Sequence, residues 1–212
     1  METSEDNINI YKFDLSDNFP ISILRNFLNP QISDGRFRMH YHNCIEIVLC
    51  EKGKGCVDFI GSTESIEEGD VCFIGSEVMH MVYSETGNKF ICTYLMVDVK
   101  KMLDSIIPLN QLEDAADIKE MSTDYHICLK KGNVDDIEPL VQVIVKRMIE
   151  HPINYECSVK GLLLDVMMEF FREYNKNLGL EREKSEEYIK RERDGIEEKV
   201  KEYEKLLNSN YA

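Results

Sequence analysis

Residues 39–82 read MHYHNCIEIVLCEKGKGCVDFIGSTESIEEGDVCFIGSEVMHMV, and this stretch decides the fold. Short runs rich in Ile, Val, Phe and Cys are broken by turn signals at Gly53-Lys54-Gly55 and Glu68-Gly69-Asp70. Such punctuation marks strands joined by tight connections. The same texture extends outward to cover 19–98, with further turn signals at Asn29-Pro30, Ser33-Asp34-Gly35 and Thr86-Gly87-Asn88. Candidate strands fall at 20–27, 36–42, 45–50, 56–60, 71–74, 79–83 and 90–97. Short strands repeating every ~8 to 12 residues predict a sandwich or barrel, not βαβ units.

After Asp98 the apolar period lengthens from two towards 3.6. Residues 99–107 read as a short helix ending at Pro108. Val134, Ile137, Val141, Ile144, Val145 and Met148 share one face of a helix that stops at His151-Pro152. A second helix over 154–174 carries Val159, Leu162, Leu163, Val166, Met167, Phe170 and Phe171. Together they predict an antiparallel helical hairpin with faces for the β domain and for a second copy of the chain. Residues 1–18 are polar and acidic and read as a flexible arm. Residues 178–212 read as a charged linker helix with a thin stripe through Ile189, Ile196, Val200, Tyr203 and Leu207. The predicted organisation is therefore an arm, a β domain at 19–98, a helical dimerisation region at 99–177 and the charged helix, an α+β class.

Composition narrows the functions. The 212 residues hold 25 Lys and Arg against 40 Asp and Glu, a formal charge of −15, with 43% hydrophobic residues. That balance excludes global disorder. It also repels phosphate backbones, so these residues are not expected to bind nucleic acid directly. No apolar run approaches the ~20 residues of a membrane helix. The start, METSEDNINI, lacks the basic and apolar regions of a secretion leader, so a cytoplasmic location is expected. Seven scattered cysteines without a C-x-x-C pair support neither a zinc ribbon nor a disulfide framework, and free thiols are expected.

One constellation carries chemistry: His40-x-His42-x3-Glu46, with His80 after Gly69 and Gly75. Residues 40, 42 and 46 share parity, so on a strand their side chains project from one face. Barrel closure would bring His80 from a remote strand to the same point. Three imidazoles and a carboxylate suit Zn, Fe, Mn or Ni. They can equally line a small-molecule pocket by hydrogen bonding, or satisfy one another structurally. Tyr94 alternates with its neighbours in a late strand, as a ligand-contacting hydroxyl or as core. Arg36 and Arg38 could anchor an anion or simply keep an edge soluble. The His126-x-Cys128 spacing reads as incidental.

These motifs resemble those of the cupin family, G-x5-H-x-H-x3or4-E-x6-G followed by G-x5-P-x-G-x2-H-x3-N. His40, His42, Glu46, Gly53, Gly69 and His80 match in type and spacing; Gly75 stands for the proline, Glu77 for the second glycine and Ser84 for the asparagine. The run 39–82 more narrowly resembles the amino-terminal sensing domain of AraC-type transcription regulators. The resemblance implies a cupin double-stranded β-helix (jelly-roll barrel) followed by a dimerising helical hairpin. It further implies a small-molecule effector held by His40, His42, Glu46, His80 and Tyr94, and a homodimer formed through the hairpin. DNA would be contacted only through a helix-turn-helix module that this chain is expected to lack. The alternative is a metal-dependent cupin enzyme, a dioxygenase or isomerase, with a His3Glu site at the same residues.

Overall fold

A single long strand, β4 (Ile45–Phe59), organises the domain. The computed structural model describes residues 9–34, 39–104, 115–132 and 137–177. The first half of β4 pairs with β6 (Val71–Ile74) and β8 (Phe90–Val97). Its second half pairs with β5 (Ser62–Glu67) and β7 (His80–Tyr83). One strand thus belongs to both faces of a barrel. The sequence signal at Gly53 predicts a turn between two strands; instead the chain bends there and pairing resumes. Gly53 has φ of 82°, and a Cβ would lie 1.8 Å from the Lys89 carbonyl oxygen, so only glycine fits.

The remaining strands complete the two faces. β2 (Ile21–Leu28) pairs with β8, and β9 (His126–Leu129) with the far edge of β6. On the other face, β3 (His40–His42) pairs with β7, and β1 (Asn9–Tyr11) lies parallel to β3. Strand parity then defines an inside. Val48, Cys50, Cys92, Tyr94, Met96, Phe59, Ile66 and Phe90 form one buried cluster, so Tyr94 faces the barrel interior with Cys92 and Met96. The mixed strands and helices make this an α+β cupin barrel.

Helices cover the opposite face. Asp98 caps α1 (Val99–Asp104) by accepting the Lys101 amide at 3.0 Å. α2 (Ala115–Asp124) precedes β9. α3 (Ile137–Glu150) and α4 (Tyr155–Asn177) form the predicted pair, with Arg147 donating to the Ser158 hydroxyl between them. The chain reverses through His151 and Asn154, both at positive φ, around Pro152. Ile137, Val141, Ile144, Val145 and Met148 are buried as their spacing requires. Phe170 meets Phe73 of β6 at 5.0 Å between ring centroids, which ties α4 to the sheet. The chain divides into two compact units, 1–171 and 172–212; of the second only 172–177 is described. No helix among the described residues is long and apolar enough to cross a membrane.

Two expectations are corrected. Residues 9–11, read as part of a flexible arm, form a strand on the barrel edge. Cys72 and Cys128, read as free thiols, are register partners on β6 and β9 and are joined by a disulfide. A separation of 56 residues hid the pair from any spacing rule. Among the described residues Cys44, Cys50, Cys56, Cys92 and Cys157 are free. The predicted charged helix at 178–212, and Arg36 and Arg38, lie outside the described residues.

Candidate functional site

The parity argument places His40 and His42 on one side of β3, and the sheet register brings His80 beside them. His40 and His80 are direct cross-strand partners, so the third imidazole arrives from an adjacent strand and not from across the barrel. Ring centroids are 4.4 Å apart for His40 and His80, and 5.1 Å for His42 and His80. The ligand atoms of His40, His42 and His80 all lie within 4.8 Å of one another. Glu46 joins from the start of β4, although the chain leaves the strand between β3 and β4.

Backbone carbonyls orient two of the imidazoles. His42 Nδ1–H donates to the Cys44 carbonyl at 2.7 Å, and His80 Nδ1–H to the Val78 carbonyl at 2.8 Å. Each ring's Nε2 is thereby turned towards Glu46. His42 Nε2 is 3.1 Å from Glu46 Oε2, and His80 Nε2 is 3.8 Å from Glu46 Oε1. Glu46 Oε1 and His80 Nε2 are both buried without a hydrogen-bond partner. Burial by itself raises the Glu46 pKa. The His42 and His80 imidazoles beside it outweigh that, and the carboxyl is held below the usual carboxylate range.

The site opens into a cavity of about 410 Å³ whose lining includes His40, Glu46, Asn29 and Tyr94. Tyr11, Phe13, Leu24, Phe27, Met81, Val82 and Met96 supply most of its wall. The size is ordinary for a small-molecule pocket. Tyr94 donates its hydroxyl to Asn29 Oδ1, and burial pushes its pKa well up, so the phenol stays neutral. Asn29 escaped the sequence reading because Asn-Pro signals a turn. Tyr11 and Phe13 escaped it because they sit in the polar amino-terminal segment. Their rings pack edge-on against His40 and His42, at 5.0 and 5.8 Å. Asn43 clips this segment by accepting the Phe13 amide at 2.8 Å and donating to its carbonyl at 3.0 Å.

The departures before His80 also have a cause. Gly75 N–H donates to the Tyr125 carbonyl at 2.8 Å, which proline could not do, and a Cβ there would lie 2.5 Å from the Thr123 carbonyl oxygen. The loop ahead of His80 is thus docked on the end of α2. His126 stacks on Phe59 at 3.7 Å, and Cys128 is committed to its disulfide, so neither joins the histidine cluster.

Comparison with known proteins gives this geometry a family. The AraC-like ligand binding domain matches residues 31–137, half of the chain. The chain belongs to the AraC-like ligand binding domain family. Over 72 residues it is 36% identical to the HTH-type transcriptional activator RhaS of Escherichia fergusonii. That match covers 34% of this chain and 26% of the relative, so the chain spans about a quarter of the length of the activator it matches. Among solved structures, an apo ToxT variant from Vibrio cholerae is 11% identical over 73% of this chain and 56% of its own, with a TM-score of 0.48. A cupin-like protein from Thermotoga maritima is 18% identical over 39% of this chain and 61% of its own, with a TM-score of 0.33.

Proposed function

We propose that this AraC-like domain is the effector-sensing part of a transcription regulator and that its effector enters the barrel cavity. The observation that carries the reading is the meeting of His40, His42, His80 and Glu46 beside an apolar cavity of about 410 Å³. An apolar wall supplies affinity, and a few fixed polar groups at one end supply orientation. Occupancy would act on the segment clipped by Asn43, since Tyr11 and Phe13 both line the cavity and pack on the imidazoles. The leverage is the difference in affinity between the two arrangements of that segment. The apolar hairpin of α3 and α4 is the proposed homodimer contact, and a DNA-binding module elsewhere in the regulator would read out the change.

The same residues fit a divalent transition metal. Three imidazoles and a carboxylate are an appropriate donor set, two of the rings are oriented by backbone carbonyls, and two buried polar atoms lack partners. A bound ion would supply Lewis acidity at that point, which is the feature favouring the enzymatic alternative.

The test is a thermal-shift screen of metabolites and of divalent metals on the wild type and on His42→Ala and His80→Ala. Effector sensing requires at least one organic compound whose stabilisation is lost in the variants. A response confined to metals, with turnover of an organic substrate, would replace sensing by catalysis. Sedimentation velocity checks the dimer; a monomer at high micromolar concentration would contradict it.

A further inference from the structure

We infer that the cavity selects an aromatic ligand, a flat ring seated between its two sheet walls with one polar substituent turned towards β1 and β3. This names the ligand class of the effector reading and rests on it. The first ground is where the rings stand. Tyr11 and His40 belong to β1 and β3 on one wall, Phe27 and Tyr94 to β2 and β8 on the other, and all four line the cavity. Tyr11 meets His40 edge-on with centroids 5.0 Å apart, and Phe27 meets Tyr94 in the same manner at 5.9 Å. An edge-to-face pair commits the edge of one ring and one face of the other, so surface of both kinds remains for a third ring. Met81 of β7 and Met96 of β8 add a thioether to each wall, and sulfur packs favourably at the edge of an aromatic ring.

The second ground is the division of polar groups between the walls. On the β2–β8 side the Asn29 side chain accepts the Tyr94 hydroxyl and donates to the Phe90 carbonyl at 3.4 Å, so these groups are bonded within the protein. Leu24, Phe27 and Met96 make the rest of that wall apolar. On the other side Asn9 is the register partner of His40, and Asn9, Tyr11 and His40 all line the cavity. An asparagine amide and a tyrosine hydroxyl can each donate and accept. Glu46 Oε1 is buried facing His80, so the polar groups within a ligand's reach are those of β1 and β3. A ring with one polar substituent fits this division, its substituent at β1 and β3 and its body against both walls.

Burial alone would favour a saturated ring, which carries more apolar surface on the same carbon skeleton. Ring–ring contacts reverse that order. Each adds attraction beyond burial, and two amount to about a tenfold preference.

The probes are 2-naphthol and decahydro-2-naphthol, one skeleton flat and aromatic, the other puckered and saturated. Calorimetric titration of the whole chain should show saturable binding of 2-naphthol, about tenfold tighter than that of decahydro-2-naphthol. Phe27 and Tyr11 are 40% and 49% exposed, so replacing them spares the core. Phe27→Leu and Tyr11→Leu should each cut the preference several-fold by weakening 2-naphthol, with unchanged circular dichroism. Tyr11→Phe, which keeps the ring, should lower both affinities alike and retain the preference. Tyr11→Leu, on a separate edge strand, keeps the test informative if Phe27→Leu impairs folding. Equal or tighter binding of the saturated compound overturns the aromatic assignment and leaves effector sensing standing. A preference that survives both leucine substitutions overturns it as well, because the selecting rings then lie elsewhere. Failure of 2-naphthol to bind at millimolar concentration overturns the assignment as a whole, whereas effector sensing falls only if no organic compound stabilises the chain.

Discussion

Glu46 Oε1 and His80 Nε2 face each other across 3.8 Å of buried space, and neither has a hydrogen-bond partner. Both hold lone pairs in that direction when the His80 proton sits on Nδ1, where the Val78 carbonyl accepts it. Two acceptors so placed attract a cation or a donor. If a transition metal is taken up, at 100 times its Kd it should stabilise the fold by about 2.7 kcal/mol. His80→Ala should abolish that gain, which thermal unfolding with and without Zn, Mn or Ni would measure. Equal gains in wild type and variant would place the ion elsewhere.

The barrel's long strand makes a second prediction. Gly53→Ala sets a Cβ against the Lys89 carbonyl and forces a positive φ on an L residue. Strain and clash together should cost about 2 to 5 kcal/mol. Gly61 also has positive φ, but a Cβ there meets nothing within 4 Å. Gly61→Ala should cost only the conformational part, about 1 to 2 kcal/mol. Chemical denaturation of the two variants separates backbone clash from conformational strain.

That bend also shows what the sequence could and could not reveal. Strands 71–74 and 90–97 stand where alternation and turn residues put them, because each is buried and defined by its own side chains. β5 reads STESIE and has only Ile66 buried, so its strand character comes from its partner β4. β1 and β9 are short edge strands fixed in the same way by tertiary pairing. In the site, parity alone brought His40 and His42 together. The imidazole orientations depend on the carbonyls of Cys44 and Val78, which no motif encodes. Asn29 reads as a turn residue until Tyr94 is seen to use it.

The amino-terminal segment should depend on Asn43. Its side chain bonds both the amide and the carbonyl of Phe13, while Lys101 bonds the Leu15 carbonyl at 2.8 Å and Asp17 at 2.7 Å. Asn43→Ala removes two bonds worth about 1 kcal/mol each. Residues 9–17 should then exchange amide hydrogens several-fold faster, with the core strands unchanged. Uniform acceleration across the chain would instead mean global destabilisation.

Alkaline titration should reveal the late ionisation of Tyr83. Burial raises its pKa, and its hydroxyl donates to Asp58 Oδ1 at 3.1 Å, whose charge raises it further, to about 12. An unfolded tyrosine ionises near pH 10. Between these values the unfolded chain releases the proton and the folded chain does not. Stability from this group is therefore complete below pH 10 and falls by about 2 to 3 kcal/mol as pH rises to 12. Absorbance at phenolate wavelengths should show a late component that Tyr83→Phe reduces and that the further change Tyr94→Phe, whose pKa burial also raises, removes.

The last prediction concerns the Cys72–Cys128 bridge. It closes a segment of 56 residues, and among the described residues β9 is paired in the sheet only with β6. Loop-closure entropy for that length gives about 4 kcal/mol, with measured effects commonly 2 to 4 kcal/mol. Cys128→Ser should lower stability by that amount yet leave β9 in place. Its main-chain pairing with β6 persists, His126 still stacks on Phe59, and the Lys131 amide still donates to buried Asp70 at 2.9 Å. Non-reducing peptide mapping should recover Cys72 linked to Cys128 and no other cysteine pair among the described residues. Free thiols at both positions would return the chain to the unpaired state its scattered cysteines suggest. The stability loss in Cys128→Ser would then shrink to that of a small packing change.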